Sequence, residues 1–190
     1  MMRVIQHRCA RLYEWTIAAL PKAVDCRTDV VCLQEPLRDR GGVGINHTAY
    51  EIRKRNRVWM AIRKGSGLLV EQRTGSNWGA NDNVIVTDVS RSGENIPRIV
   101  NIYDRRDTQS GESQARKLDW QKVIPEGESV LQGDSNAHSA RWEPTCHRQC
   151  NATFWAEVID ENGQEIGNDG QRSQCCTRED YEGGSVIDLT

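Results

Sequence analysis

Apolar residues fall in short runs separated by charged, glycine- or proline-containing stretches, a pattern that favours strands with a few interspersed helices. Residues 3–6 predict a first strand. Residues 29–34 predict a second, apolar on both faces through Val30-Val31-Cys32-Leu33 and therefore buried on both sides. Between them, residues 11–24 place Leu12, Trp15, Ala19 and Leu20 at helical spacing, with Pro21 expected to kink the helix or end its first part. Residues 57–70 carry apolar positions around Gly65-Ser66-Gly67 and predict a hairpin. Residues 84–89 and 98–103 predict two more strands joined by the turn-rich Arg91-Ser92-Gly93-Glu94-Asn95. A helix is predicted over 112–124, with Leu118, Val123 and Ile124 facing inward and Pro125 closing it. A strand over 128–132 follows, then a short helix over 153–161 with Phe154, Trp155 and Val158 on its apolar side. With no repeat, linker or low-complexity tract, this order predicts an α+β architecture, a two-sheet β-sandwich with helices outside.

Composition narrows the picture only a little. At 190 residues the chain is long enough for one domain with one core, expected to span 1–190. Charged residues are 27% and hydrophobic residues 37%, a polar balance, but six Trp and the recurrent Val/Ile/Leu runs exclude a disorder composition. No stretch approaches the ~20 apolar residues of a membrane span, and the N-terminus lacks an apolar signal core, so no membrane partner is expected. Seven Cys at irregular spacing read as mostly buried thiols of an intracellular protein, not as a disulfide framework.

Chemistry concentrates where strands end. In Ser129-Val130-Leu131-Gln132-Gly133-Asp134-Ser135-Asn136-Ala137-His138-Ser139-Ala140-Arg141-Trp142 an apolar run stops at a glycine, and a carboxylate, an amide and an imidazole follow at alternate positions. Such a set suits phosphate-ester hydrolysis: the carboxylate orients or deprotonates a water, and the amide hydrogen-bonds the phosphoryl oxygen as charge builds on it. A plain Asp/Asn/Ser turn is the other reading. Glu35, in Asp29-Val30-Val31-Cys32-Leu33-Gln34-Glu35-Pro36, ends a buried strand where it could bind a divalent cation; a solvated strand-end glutamate is the alternative. Asp188, in Ser185-Val186-Ile187-Asp188-Leu189-Thr190, lies in an apolar strand and needs a partner to offset its desolvation.

The net charge of −2 argues against a uniformly basic nucleic-acid binder, yet Arg53-Lys54-Arg55-Asn56-Arg57 and Arg63-Lys64 are locally dense. That run could hold a phosphate backbone, or it could be an edge strand protected by charge.

The order Leu33-Gln34-Glu35, Ile102-Tyr103, Gly133-Asp134-Ser135-Asn136-Ala137-His138 and Ser185-Val186-Ile187-Asp188 resembles the endonuclease/exonuclease/phosphatase superfamily. More narrowly, Gly-Asp-x-Asn-Ala-His-Ser with Trp142, Asn168-Asp169-Gly170 and Ser-x-Ile-Asp-Leu-Thr resemble the abasic-endonuclease-like domain of non-LTR (LINE-type) retrotransposons, over nearly the whole chain. The resemblance implies a DNase-like four-layer α/β/β/α fold and a DNA-nicking, metal-dependent phosphodiester hydrolase. The chain would be fused to a reverse transcriptase in the parent polyprotein and nuclear if active on genomic DNA. It assigns Glu35 to Mg²⁺ or Mn²⁺, Tyr103 to the scissile phosphate, Asp134 to the attacking water, Asn136 to the transition state and Asp188 to the orientation of a catalytic histidine. All five are expected to converge at one end of the sandwich.

Two departures accompany the resemblance. Arg8 stands where the family has an asparagine; a guanidinium can bind phosphate but cannot accept hydrogen bonds or support a metal. The family's closing Ser-Asp-His segment belongs downstream of Asp188, where this sequence stops at Thr190. The expectation is therefore a domain incomplete at its C-terminus with weak or no activity. Its alternative is a catalytically inactive, transposon-derived remnant that at most binds divalent cation or nucleic acid. His138 is expected to structure its loop. A third reading takes Cys146-His147-x-x-Cys150 and Cys175-Cys176 as a zinc site, disfavoured because adjacent cysteines rarely ligate one ion.

Overall fold

The computed structural model describes residues 2–37, 45–73, 82–124, 129–139, 141 and 151–162. Two four-stranded sheets form from strands β1 (Val4–Arg8), β2 (Val30–Gln34), β3 (Tyr50–Arg55), β4 (Val58–Arg63), β5 (Leu68–Arg73), β6 (Val84–Arg91), β7 (Glu94–Tyr103) and β8 (Ser129–Asp134). One sheet has the order β1-β2-β4-β3, the other β5-β6-β7-β8. Helices α1 (Tyr13–Asp25), α2 (Trp120–Val123) and α3 (Ala152–Glu161) complete the described elements. None of these helices is long and apolar enough to cross a membrane.

The strand faces explain the layering. Every residue of β2 is buried. Val31 and Leu33 pack with Ala19, Leu20 and Ala23 of α1, while Val30 and Cys32 pack with Met60 of β4 and Ile85 and Ile99 of the second sheet. On that sheet's other side Val84, Val100, Ile102 and Leu131 meet Val123, Phe154, Trp155 and Val158 from α2 and α3. The layers are thus helix, sheet, sheet, helices, the architecture expected from the sequence.

Three local expectations need correction. Residues 57–70 do not form a hairpin. β4 is buried on both faces and takes neighbours on both edges, β2 and β3, whereas β5 alternates half-buried and exposed positions and pairs only with β6. Gly65 (φ +71°) and Gly67 (φ +75°) turn the chain from one sheet to the other. The helix expected over 112–124 is broken into a 3-10 helix, Gln114–Lys117, and α2, with Leu118 extended between them. At 100° per residue, Leu118, Val123 and Ile124 could not share one helical face; the break lets all three be buried. Finally α1 does not end at Pro21 but continues past it to Asp25. The residue whose carbonyl loses its partner there, Ile17, lies on the exposed side, and the buried stripe is Thr16, Ala19, Leu20 and Ala23 instead of one including Leu12 and Trp15.

The sheets are also tied by polar groups. Gln34 Nε2 donates to Asn101 Oδ1 at 2.6 Å, and Asn101 Nδ2 donates to the Trp59 carbonyl at 2.8 Å, all three residues being buried. Of the seven cysteines, Cys9 and Cys32 are buried free thiols and Cys26 is an exposed one; the four proposed for zinc lie outside the described residues.

Asp29, at the entry to β2, is buried and accepts hydrogen bonds from the Arg3 amide (2.9 Å) and the Arg63 guanidinium, with Arg91 3.7 Å away. Burial pushes its carboxyl up, but these donors outweigh it and hold the group below the usual range. A depressed folded pKa means stability present above the unfolded value and lost as pH falls through the folded one. Asp29→Asn is expected to cost about 2 kcal/mol at neutral pH. The difference from wild type should shrink in acid. Urea melts at neutral and acidic pH check both; an equal cost at each would refute the charge argument.

Candidate functional site

Both parallel strand pairs, β1 with β2 and β7 with β8, send their carboxyl ends to the same end of the sandwich. Gln6 of β1 fixes the two sheets there: its Oε1 accepts from the Gly133 amide at 2.8 Å and its Nε2 donates to the Gly133 carbonyl at 3.1 Å. Arg8, Glu35, Tyr103 and Asp134, which end or follow these four strands, meet at that point.

Glu35 lies just past β2 with φ +48°, a left-handed conformation unusual for a side chain of this size. Its amide donates to the Arg57 carbonyl (2.8 Å) and its carbonyl accepts from the Arg11 amide (2.7 Å), which hold the turn. The side chain consequently points inward and is only 7% exposed, which removes the solvated strand-end alternative. Three guanidiniums surround it. Arg8 Nη2 lies 3.3 Å from Oε2, and Arg11 Nε and Arg57 Nη1 each donate to Oε1 at 3.1 Å. The Tyr103 hydroxyl also bonds the carboxylate. Burial alone would raise the Glu35 carboxyl; the Tyr103 hydrogen bond and the charges of Arg8 and Arg11 draw it below its ordinary value instead. Tyr103 moves the other way, raised by burial and by the Glu35 and Asp134 carboxylates.

Asp134 is buried at the end of β8, with Arg8 Nε 2.9 Å from its Oδ2. This contact is an ion pair without hydrogen-bond alignment, since neither Arg8 Nε nor Asp134 Oδ2 has a hydrogen-bond partner. Oδ1 accepts from the Asn136 amide at 3.1 Å. Burial raises the Asp134 carboxyl, more than Arg8 and the Asn136 amide lower it. Asn136 itself sits at φ +45° and donates from Nδ2 to the Asp104 carbonyl at 2.7 Å, which fixes its amide plane beside Asp134. His138 is close enough for its charge to act on Asp134.

Four of the five residues assigned from the sequence are therefore brought to one end of the sandwich. Asp188 lies outside the described residues, as do Trp142 and Asn168-Asp169-Gly170.

The arrangement does not fit a divalent cation at Glu35. Both carboxylate oxygens are already engaged, and no group of three or more His, Cys, Asp or Glu able to hold a metal occurs among the described residues. Charge gives the ion no net attraction. Among the described residues three guanidiniums stand against two carboxylates, and a divalent ion ~6 Å from one guanidinium is opposed by roughly 5 kcal/mol at an effective dielectric constant of about 20. The same imbalance suits an anion.

Comparison with solved structures shows what the fold is similar to. The endonuclease domain of TRAS1, a telomere-specific non-LTR retrotransposon, superposes with a TM-score of 0.74 at 17% identity, covering 100% of this chain and 84% of that one. A humanized D. rerio TDP2 carrying 14 mutations gives 0.51 at 14% identity, covering 87% and 68%. The chain shares the fold of these structures, two packed sheets flanked by helices. No family model and no curated protein matches the chain by sequence.

Three participants at this site are not legible in the sequence. Arg11 arrives through a tight turn in which Ala10 (φ +47°) and Arg11 (φ +61°) are both left-handed, closed by the Leu12 amide on the Cys9 carbonyl. Nothing in Ala-Arg announces that turn. Arg57 was visible only as part of a basic run. Its neighbours are paired elsewhere, Arg53 with Glu51, Arg55 with Asp82, Arg63 with Asp29, and Lys54 stacks over Trp59. Most of that run is thus a charge-paired hairpin, and Arg57 alone among these reaches Glu35. The third participant, Asp104, holds Asn136 Nδ2 through its main-chain carbonyl.

Proposed function

We propose that this chain is a DNA-binding domain of the non-LTR retrotransposon endonuclease type, with weak or no phosphodiester hydrolysis of its own. The observation that carries the proposal is the meeting of Glu35, Tyr103, Asp134 and Asn136 at one end of an endonuclease/exonuclease/phosphatase fold, with Arg8 between the two carboxylates. Likeness to the TRAS1 endonuclease domain supports DNA as the partner. In that setting a fused reverse transcriptase and a nuclear site of action follow as parts of the same reading.

Hydrolysis needs an oriented water and a group that meets charge developing on the phosphoryl oxygen. Asp134 could hold the water, while Asn136 Nδ2 and the Tyr103 hydroxyl are already bonded, to the Asp104 carbonyl and the Glu35 carboxylate. The Mg²⁺ or Mn²⁺ expected from the resemblance would have to displace three arginines from Glu35. This arrangement favours the second reading as well, an inactive domain that retains nucleic-acid binding.

Supercoiled-plasmid nicking tests the choice. Wild type is expected to nick slowly or not at all with Mg²⁺ or Mn²⁺ present, and Arg8→Asn to nick at least about tenfold faster, the scale of one catalytic contribution. Asp134→Ala in the Arg8→Asn background should abolish that gain. Fast nicking by wild type would overturn the weak-activity reading; no nicking by either protein would favour the inactive one.

A further inference from the structure

We infer that Arg8, Arg11 and Arg57 form a metal-independent site for a phosphate group, in which Glu35 is the internal anion that an incoming phosphate displaces. The inference rests on the DNA-binding reading for the source of that phosphate, but the site itself is argued from the side chains.

Guanidinium forks match carboxylate and phosphate oxygens alike, so a glutamate held by three of them occupies the position a phosphate would take. Exposure sets the direction of approach. The side chains of Arg8, Arg11 and Arg57 are 40%, 59% and 21% exposed, whereas Glu35 behind them is 7% exposed. An anion from solvent therefore meets the arginines first. Each guanidinium carries five N–H groups. Arg8 directs Nη2 to Glu35 and Nε toward Asp134, Arg11 directs Nε and Nη2 to Glu35, and Arg57 directs Nη1. Arg57 also stacks over the Tyr103 ring, 5.7 Å from its centroid, which holds its plane in place. The pair of Arg8 Nε and Asp134 Oδ2 is not aligned as a hydrogen bond, so turning Nε toward another acceptor breaks no hydrogen bond there. Backbone geometry keeps the set assembled without ligand, through the left-handed turns at Ala10-Arg11 and Glu35.

The sign of one substitution separates this site from a metal site. If Glu35 competes with phosphate for the arginines, Glu35→Gln releases them and tightens binding. If Glu35 holds a metal that in turn holds phosphate, the same change weakens it.

The experiment uses a fluorescein-labelled single-stranded DNA for the backbone source and inorganic phosphate, followed by its shift of the melting temperature, for the free-anion source. Both are run with excess EDTA and with Mg²⁺. Expected results are binding unchanged by EDTA, at least about fivefold tighter DNA binding by Glu35→Gln, and about tenfold weaker binding by Arg11→Gln. The slope of log affinity against log salt should fall by roughly 0.7 for each arginine removed. Arg11 is the most exposed of the three, so Arg11→Gln folds whatever becomes of the other variants; Arg57→Gln provides a second check. Binding that requires Mg²⁺ and is lost in Glu35→Gln overturns the site. DNA binding untouched by Arg11→Gln, Arg57→Gln and Glu35→Gln also overturns it, while the DNA-binding reading survives. A phosphate-induced melting shift that Arg11→Gln removes, without any DNA binding, supports the site and overturns the DNA reading instead.

Discussion

Gly133→Ala is expected to destabilise the protein by at least about 3 kcal/mol, overpacking and backbone strain each contributing ~1–3 kcal/mol. Gly133 pairs with Ile102 across the parallel β7–β8 ladder at φ +156°. A Cβ there would be driven into the Ile102 carbonyl oxygen and would lie 2.6 Å from Ile102 Cγ2. Ile102 has nowhere to go: it is buried, and β7 is held between β6 and β8. Relief must come from β8 moving outward, which pulls the Gly133 amide and carbonyl away from Gln6 and Asp134 away from Arg8. Chemical denaturation measures the first effect and DNA binding the second. A variant within about 0.5 kcal/mol of wild type, the range of an ordinary surface change, would show that the ladder yields more easily than this contact implies.

Gly133 also illustrates what could be read from the sequence. An apolar run broken by glycine and followed by Asp134 and Asn136 marked a strand end with chemistry, and β8 ends at Asp134. Glu35 was legible for a related reason, as an acidic residue closing a strand apolar on both faces. The arginines were not legible in their roles. Their convergence depends on left-handed conformations at Ala10, Arg11 and Glu35 that local propensity disfavours and tertiary contacts impose. A carboxylate closing a buried strand reads as a metal ligand from its own chemistry; the guanidiniums that engage Glu35 come from other parts of the chain and are not legible beside it. Helix content failed for a simpler reason. Over 112–124 Leu118, Val123 and Ile124 do not fall on one helical face, and a separate 3-10 helix starts where Ser113, its N-cap, and Asp104, just past β7, both accept from the Ala115 amide.

Asp104 is the basis of the second large effect. It is fully buried just past β7, where Oδ2 accepts from Ser113 Oγ (2.6 Å) and Trp155 Nε1 (3.1 Å) and Oδ1 from the Ala115 amide (3.1 Å). Asp104→Ala strands the indole N–H of Trp155, itself fully buried, and opens a void beneath α3; the expected cost is about 3–4 kcal/mol, since an orphaned buried donor alone costs ~1–3 kcal/mol. The Ser113 hydroxyl can turn to another acceptor and the Ala115 amide keeps Ser113 Oγ at 3.1 Å, so these two add little. Burial raises the Asp104 carboxyl despite its three donors. A raised carboxyl stabilises the fold most below its unfolded pKa and loses that contribution as pH rises through the folded value, so the penalty of Asp104→Ala should narrow from acid toward neutral pH. Comparing variant with wild type at each pH cancels the opposite trend of Asp29. A double-mutant cycle with Trp155→Phe isolates the contact and should give a coupling of about 1–2 kcal/mol. The Asp104 carbonyl that holds Asn136 Nδ2 is main-chain and remains in the alanine variant, so this contact should persist where the variant folds. A penalty that widens toward neutral pH, or a coupling near zero, would mean that Asp104 is tolerated in the core and not used by it.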